Sequence, residues 1–518
     1  MTNINTKSMK ISNSYILLLL LALSIFPSCD KGFDELNTNP VRLTSIDGTF
    51  QLNFAIIQSA PDYGNLTYET TIVRQMITPF TGVGTGANLN QDNRAATQNN
   101  WQSGYRSVLK NLIDAIANEE MAETPNTNLV SILKIWKNHA FIVMTDTYGD
   151  IPYSEASSAF LNGNAFPVYD TQESIYNGIL DELASAVAAL NPTGASVEQD
   201  AMYAGDIEQW QRLGNSLMLR AAMRLVKVNP SKAQEFAAKA IAEGLMQSND
   251  DNAVIRHNAD FRNPVGTNLN GGQAPFYYLD AEFVDYLSER NDPRLPVIAV
   301  RYVGATTEGD QTEAIADRTA GVQIGMPQGF DNSSIPAQIE ADGLASLYDY
   351  SQLDRTRLGN PEAPSFLVTY AQTLLLEAEA ISRGWATGDA AAVYASAIEA
   401  NMQQFSSWPG DTEIAQSDID AYIQANPLEA GAEIEQINGQ YWIASLLNGP
   451  EAWANFRRSG FPDIAPNPYP GTDLKTEDFI RRLTYPDSEL TVNRANVDAV
   501  LSRQGPDALD TRVWWDIN

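Results

Sequence analysis

The sequence predicts a mainly α-helical protein, built of helix pairs joined by long irregular loops. Three observations predict it. From about residue 100 onward apolar residues recur at three- and four-residue intervals, the period of an amphipathic helix. Three long stretches rich in Gly, Asn, Thr or Pro interrupt that period, and no charge run or low-complexity linker divides the chain. Of 518 residues, 44% are hydrophobic and 19% charged, ample apolar material for a core and against intrinsic disorder.

The helices follow in chain order. Over 102–121, Tyr105, Leu109, Leu112 and Ile116 form one apolar stripe; over 127–147, Leu129, Leu133, Trp136, Ala140 and Val143 form the next, ending at Gly149 with Pro152 beyond it. Segment 172–190 repeats Ile175, Ile179, Leu183 and Val187. Segment 206–228 opens on a capping Asp206 and carries Trp210, Leu213, Leu217, Ala221 and Leu225. After Pro230, Ser231 and Gln234 have capping-box spacing for a helix over 231–246. Further helices are expected at 365–384, 389–406 and 433–448, with Gly384 and Gly449 as C-terminal caps. The pairs 172–190 with 206–228 and 365–384 with 389–406 read as helical hairpins, the second Ala-rich on its packing face as a tetratricopeptide unit would be. No regular repeat series accompanies them. Residues 78–100, 258–276 and 304–364 read as non-helical, with a short hairpin compatible with 297–303.

Charge and rare residues exclude several functions. The 33 Lys+Arg against 64 Asp+Glu leave a net charge of −31, the wrong sign for nucleic acid and for an anionic lipid surface. A single cysteine, Cys29, excludes an internal disulfide and a cysteine zinc cluster. The two histidines, His139 and His257, lack a metal-binding companion, and no H-E-x-x-H occurs.

The first residues carry an address. Residues 1–28 hold two lysines, Lys7 and Lys10, and no acid; an apolar run from Tyr15 to Phe26 then breaks at Pro27, before Ser28 and Cys29. This is the layout of a secretory signal, and the run is short for a spanning helix, which needs roughly 20 apolar residues. The position of Cys29 resembles a bacterial lipobox, although Phe26-Pro27-Ser28 departs from the usual Leu-small-small. Residues 1–28 are therefore expected to be a lipoprotein signal peptide and 29–518 one large mature domain, held to the membrane by acyl chains on Cys29 alone.

Immediately after it stands Cys29-Asp30-Lys31-Gly32-Phe33-Asp34-Glu35-Leu36-Asn37-Thr38-Asn39-Pro40. Downstream come Trp101–Arg106 followed by Asn111-Leu112, then Thr145-Asp146-Thr147-Tyr148-Gly149-Asp150-Ile151-Pro152-Tyr153 and Asp260-Phe261-Arg262-Asn263-Pro264. Ser288-Glu289-Arg290-Asn291-Asp292-Pro293-Arg294, Asn448-Gly449-Pro450-Glu451-Ala452-Trp453 and Arg481-Arg482-Leu483-Thr484-Tyr485-Pro486 complete the series. Together these segments resemble the SusD/RagB family, in particular its second SusD-like branch, over nearly all of the mature chain. The resemblance implies a SusD-like fold, with degenerate tetratricopeptide-like pairs as scaffold and irregular loops on the ligand side. It implies a non-catalytic outer-membrane lipoprotein of Bacteroidota-like bacteria, exposed at the cell surface. Such a protein holds oligosaccharides or oligopeptides and caps a SusC-like TonB-dependent transporter.

His139 lies on or beside its helix's apolar stripe and reads as structural. Gly82-Val83-Gly84-Thr85-Gly86 matches no phosphate fingerprint, because no helix that could aim amides at phosphate is expected after it. No G-x-S-x-G elbow or calcium loop is present. The acid pairs Glu119-Glu120 and Asp250-Asp251 read as solvated surface. No catalytic residue, cofactor or metal is assigned.

Aromatic residues, 9 Trp, 21 Tyr and 18 Phe, are the informative class, because sugar rings stack on aromatic faces while amides and charges satisfy their hydroxyls. Trp101 borders a polar stretch holding Asn90, Asp92 and Arg94, and Phe276-Tyr277-Tyr278 follows Gly271-Gly272-Gln273. These two clusters are the expected ligand-binding residues, whereas Trp136, Trp210 and Trp442 are expected in the core. The competing readings are a surface glycoside hydrolase, which needs two carboxyl groups across a cleft, and a tetratricopeptide adaptor, which needs a regular repeat array.

Overall fold

The computed structural model describes residues 46–79, 84–272 and 276–517. Residues 47–518 group as one unit. The expected signal peptide, the expected lipidation residue Cys29 and the 29–40 segment lie outside the described residues.

The expected helices are present, each begun by the local chemistry that favours it. Asn126 Oδ1 accepts the Leu129 N–H at 3.1 Å to start Thr127–Tyr148, and Thr171 caps Gln172–Ala189. Asp206 Oδ1 accepts from Gln209 N at 3.1 Å to open Ile207–Arg224. These helices pack on one another in succession, with Pro230–Glu243 following. A second series packs Tyr370–Ser382 against Ala390–Gln404 and Glu433–Ala444. Both expected hairpins are therefore formed, and Trp136, Trp210 and Trp442 are buried, as expected of core residues. Among the described residues no helix is long and apolar enough to cross a membrane.

Three boundaries differ from the sequence reading. The stretch read as one helix over 102–121 is Arg94–Ser103, a π-helical turn Gly104–Leu109, and Lys110–Glu120. A Cβ on Gly104 would sit 2.5 Å from the Met144 sulfur, so the wide turn passes a close crossing at which any larger residue would displace the methionine side chain. Ser365–Val368 is a strand instead of a first helical turn, because Thr369 forms a capping box with Gln372 and starts the helix there. The helix read from a Ser231 cap begins one residue earlier, at Pro230, and is capped by Asn229.

Gly384, with φ of 74°, ends its helix as expected. Gly449 does not: it begins a further helix, Gly449–Ser459, with Pro450 in the first turn. A Cβ on Gly449 would lie 2.9 Å from the Glu69 Cβ, so the glycine lets this helix press against Tyr63–Ile72.

The loops hold more structure than composition suggested. Gly84–Asn88 and Arg94 onward are helical within 78–100, and Pro264–Leu269 is a helical turn within 258–276. The 297–303 hairpin is Ala299–Tyr302, centre strand between Ala316–Asp317 and Gln352–Leu353, antiparallel to both. Ala253–Ile255 pairs antiparallel with Ser365–Val368, and Met76–Ile77 with Tyr278–Leu279.

Buried ion pairs cross-link the helices. Arg224 donates to Asp146 Oδ2 at 3.0 Å and to Glu451 Oε1 at 2.7 Å, while Arg220 lies 3.2 Å from Glu451 Oε2. Asp146 also accepts from the Tyr176 hydroxyl and, at 3.0 Å, from Trp515 Nε1; Tyr441 donates to Glu451 at 2.7 Å. Burial pushes the Glu451 carboxyl up, but the charges of Arg220 and Arg224 outweigh it and hold its pKa at about 2. A second cluster sets Arg458 bidentate on Glu379 at 2.7 and 2.8 Å.

Glu451→Gln is expected to destabilise the fold by about 3–5 kcal/mol, since it leaves Arg220 and Arg224 buried and underpaired. The native carboxyl titrates below its ordinary value of 4.5, so its contribution is present above that pH and lost as pH falls toward about 2. Urea unfolding as a function of pH should therefore give a shallower acid decline for the variant, and an unchanged midpoint at neutral pH would contradict this account.

Candidate functional site

Trp101 ends the Arg94–Ser103 helix, one turn before the backbone widens, and the wide turn carries Tyr105 and Arg106. Its ring is 5% exposed. It lies 4.9 Å from the Tyr105 ring, edge-on to Tyr148 and Tyr485 at 5.1 and 5.8 Å, and stacked with Tyr169 at 5.9 Å. Most of the indole is thus used in packing. It is the floor of a site, not the free-standing platform the sequence suggested, and the half-buried Tyr105 extends that floor outward.

Above these rings opens a cleft of about 440 Å³, within the range of small-ligand sites. Its rim is polar: Gln102, the exposed Arg106, Ser157, Glu489 and Asn493. These groups are positioned. Tyr169 donates to Glu489 at 2.6 Å, Asn493 Nδ2 donates to the Pro167 carbonyl at 2.9 Å, and Tyr105 donates to the Pro152 carbonyl at 2.7 Å. The loop on one side is folded on its own acids: Glu155 accepts from Val168 N and Asn164 Nδ2, and Asp170 from Tyr153 N and Ser154 N. That loop holds Phe160 and Phe166 out to solvent at 54% and 56% exposure, with Val492 opposite at 63%. An apolar floor, a ring of amide and charged groups and outlying aromatic rings suit a polyhydroxyl ligand, whose faces are apolar and edges polar.

The other expected ligand residues take different places. Asn90 is buried with φ of 50°, and its carbonyl accepts from Asp473 N at 2.9 Å. Asp92 accepts from Thr484 Oγ1 at 3.0 Å, and Arg94 is shared among Asp92, Asp487 and Asp507 at 3.1–3.5 Å. These three hold the loop to the C-terminal region and do not line the Trp101 cleft. Tyr277 and Tyr278 are 2% and 0% exposed, Tyr278 paired with Ile77, so neither offers a ring face to solvent. Phe276 is half-buried. No described cavity is lined by residues of both expected clusters.

His139 is buried against Trp136, ring centroids 4.8 Å apart, and burial lowers its pKa to about 3, so the imidazole is neutral as a structural histidine should be. It lines a narrow cavity of about 90 Å³, room for a few waters. His257 shares a 3.1 Å hydrogen bond with Ser365 Oγ. Asp251 corrects the solvated-surface reading: it is buried and held bidentate by Arg212 at 2.9 Å. Glu69, buried with both carboxyl oxygens lacking partners among the described residues, is pushed up to about 8 by burial. Among the described residues no group of His, Cys, Asp and Glu is placed to hold a metal ion.

Sequence reasoning missed Tyr169, Tyr485 and Glu489, which come from distant segments and carry no local pattern. The Tyr485 signal was present within the Arg481–Pro486 motif, where it read only as family likeness.

Comparison with known proteins places these features in a family. The family described as "Starch-binding associating with outer membrane", SusD-like, matches residues 40–486. A solved chitin-binding protein is 30% identical over 91% of this chain and 100% of its own, with a TM-score of 0.79. A chitin-binding SusD homologue from Flavobacterium johnsoniae is 26% identical over 91% and 98%, with a TM-score of 0.73. A SusD homologue from Bacteroides fragilis, 23% identical with a TM-score of 0.76, shares the fold over 91% and 100%. No curated protein matches.

Because Trp101 packs on four tyrosines, Trp101→Ala should cost about 3–5 kcal/mol of stability. Thermal unfolding checks this, and a variant as stable as the parent would show that the indole is not integrated in the core.

Proposed function

This chain belongs to the SusD-like family, and on that premise we propose that it is a surface lipoprotein that binds oligosaccharides for import through an outer-membrane transporter. Carbohydrate binding and outer-membrane association are what the family supports. The finer reading, a protein tethered through Cys29 that caps a SusC-like TonB-dependent barrel, rests on the lipobox-like leader and on the family resemblance. The single observation that carries ligand capture is the aromatic-floored, polar-rimmed cleft at Trp101, Tyr105 and Arg106.

Two chitin-binding relatives at 30% and 26% identity favour a neutral glycan of N-acetylated sugars over a peptide. Among the lining residues of the cleft Glu489 is the one carboxylate, and the Tyr169 hydroxyl occupies it; glycoside hydrolysis uses two opposed carboxyl groups. That supports binding without turnover. The transporter's part follows from linkage: bound ligand favours the closed complex only if it contacts the closed state better than the open one.

The mature chain should bind chito-oligosaccharides in isothermal titration calorimetry and release no shortened product. Arg106→Ala, at an exposed position, should weaken binding about tenfold, the loss of a charged hydrogen bond of about 1.5 kcal/mol, at unchanged melting temperature. Failure to bind any oligosaccharide, or cleavage of one, would overturn the reading. Cys29→Ala should move the protein from the membrane to the soluble fraction; retention in the membrane would defeat the lipid tether.

A further inference from the structure

A second cleft, sharing no lining residue with the first, lies beside the Ala253–Ile255 and Ser365–Val368 strand pair. Its volume is about 500 Å³. Val254 and Phe366 are register partners, and both line it. The half-buried Phe366 is backed by Trp408, ring centroids 4.9 Å apart, so its ring rests on a fixed aromatic base. Arg256 also lines the cleft; it is exposed and makes no hydrogen bond or ion pair with a described residue. Across the opening, Gln403, Ser406 and Ser407 supply amide and hydroxyl groups from the end of the Ala390–Gln404 helix and the turn that follows it.

The wall at His257 is built with equal care. The imidazole is nine-tenths buried, shares a hydrogen bond with Ser365 Oγ at 3.1 Å, and stacks on Phe261 at 4.8 Å. Phe261 stands 36% exposed on a loop fixed from both ends. Asn258 Oδ1 accepts from Asp260 N and Phe261 N, each at 2.9 Å, and Asn263 Nδ2 donates to the Ala363 carbonyl at 2.8 Å. This is the Asp260–Pro264 segment, which the first cleft leaves without a role.

We propose that this cleft is a second glycan-binding site, taking a neutral oligosaccharide on Phe366 with Arg256 and Gln403 as its polar contacts. The charge balance selects the ligand class. The lining holds two acids, Asp250 and Glu362, against one cation, Arg256, and burial lowers the His257 pKa, so an anion finds no complement and a strongly basic peptide meets Arg256. Aromatic faces with amides and hydroxyls fit an uncharged polyol. The strand pair gives the platform the rigidity that a loop would not.

The inference rests on the reading of this chain as an oligosaccharide binder, and the test separates the two. Titration of the mature chain with chitohexaose should show two sites per chain. Arg256→Ala and Gln403→Ala should each weaken the second site about tenfold and leave the first unchanged, while Arg106→Ala should do the reverse. Arg256 and Gln403 are surface positions, and unchanged melting temperatures confirm that the variants are folded. One site per chain, lost in Arg106→Ala and untouched in Arg256→Ala and Gln403→Ala, overturns the second site and spares the first reading. No binding of chitohexaose to the parent chain overturns both.

Discussion

Four buried charges, Asp146, Arg220, Arg224 and Glu451, set the frame on which the remaining structure hangs. They come from three helices distant in sequence, Thr127–Tyr148, Ile207–Arg224 and Gly449–Ser459, and each carboxylate is satisfied from several directions. Apolar packing alone would let these helices slide, because aliphatic contacts are nearly indifferent to small shifts along an axis. Guanidinium–carboxylate pairs are not indifferent, since a buried charge displaced from its partner costs far more than a lost methylene contact. The cluster therefore fixes helix register more than it adds net stability. Arg458 on Glu379 repeats the device elsewhere in the fold, and Arg294, charge-paired with the nearby Asp292, ties in Asn401 and Gln440 from two helices. An acidic protein can thus keep several of its arginines inside, each answering a buried carboxylate.

Helices with a strong period and a side-chain cap were legible in the sequence: Thr127–Tyr148, Gln172–Ala189 and Ile207–Arg224 begin and end within a residue or a few of the expected positions. What was not legible depended on partners far along the chain. Ser365–Val368 is apolar enough for either a helix or a strand, and the choice is made by Ala253–Ile255 more than a hundred residues earlier. Gly449 has the composition of a helix end and is a helix beginning, because the constraint on it is the approach of Glu69. Gly48–Gln58, which leaves Phe50 and Phe54 exposed, has little helical periodicity to read, and Ala281–Glu289 is periodic but only nine residues long.

The candidate site divides in the same way. Trp101 was identifiable because a tryptophan beside amides is unusual, yet its use as a floor is decided by Tyr148, Tyr169 and Tyr485. Tyr277 and Tyr278 show the converse: two adjacent aromatics after a glycine pair look like a surface platform until a short strand pairing with Met76–Ile77 draws both inward. Asp92 and Arg94 have the chemistry of ligand contacts and spend it on Thr484 and Asp507, while Asn90 is buried and meets Asp473 through its backbone carbonyl. Residue type announced polarity; only the fold distributes it between holding a loop and meeting a ligand.

The π-helical turn at Gly104–Leu109 has a wider consequence. An extra residue in one turn rotates everything beyond it by about 100° relative to an uninterrupted helix. The side chains before and within the turn, Trp101, Gln102, Tyr105 and Arg106, are thereby released from the angular phase that seats Leu109, Leu112 and Ile116 in the interior. Gln102 and Arg106 can therefore be exchanged for a new cargo without disturbing the stripe behind them. The wide turn works as a phase shifter between the cleft and the interior.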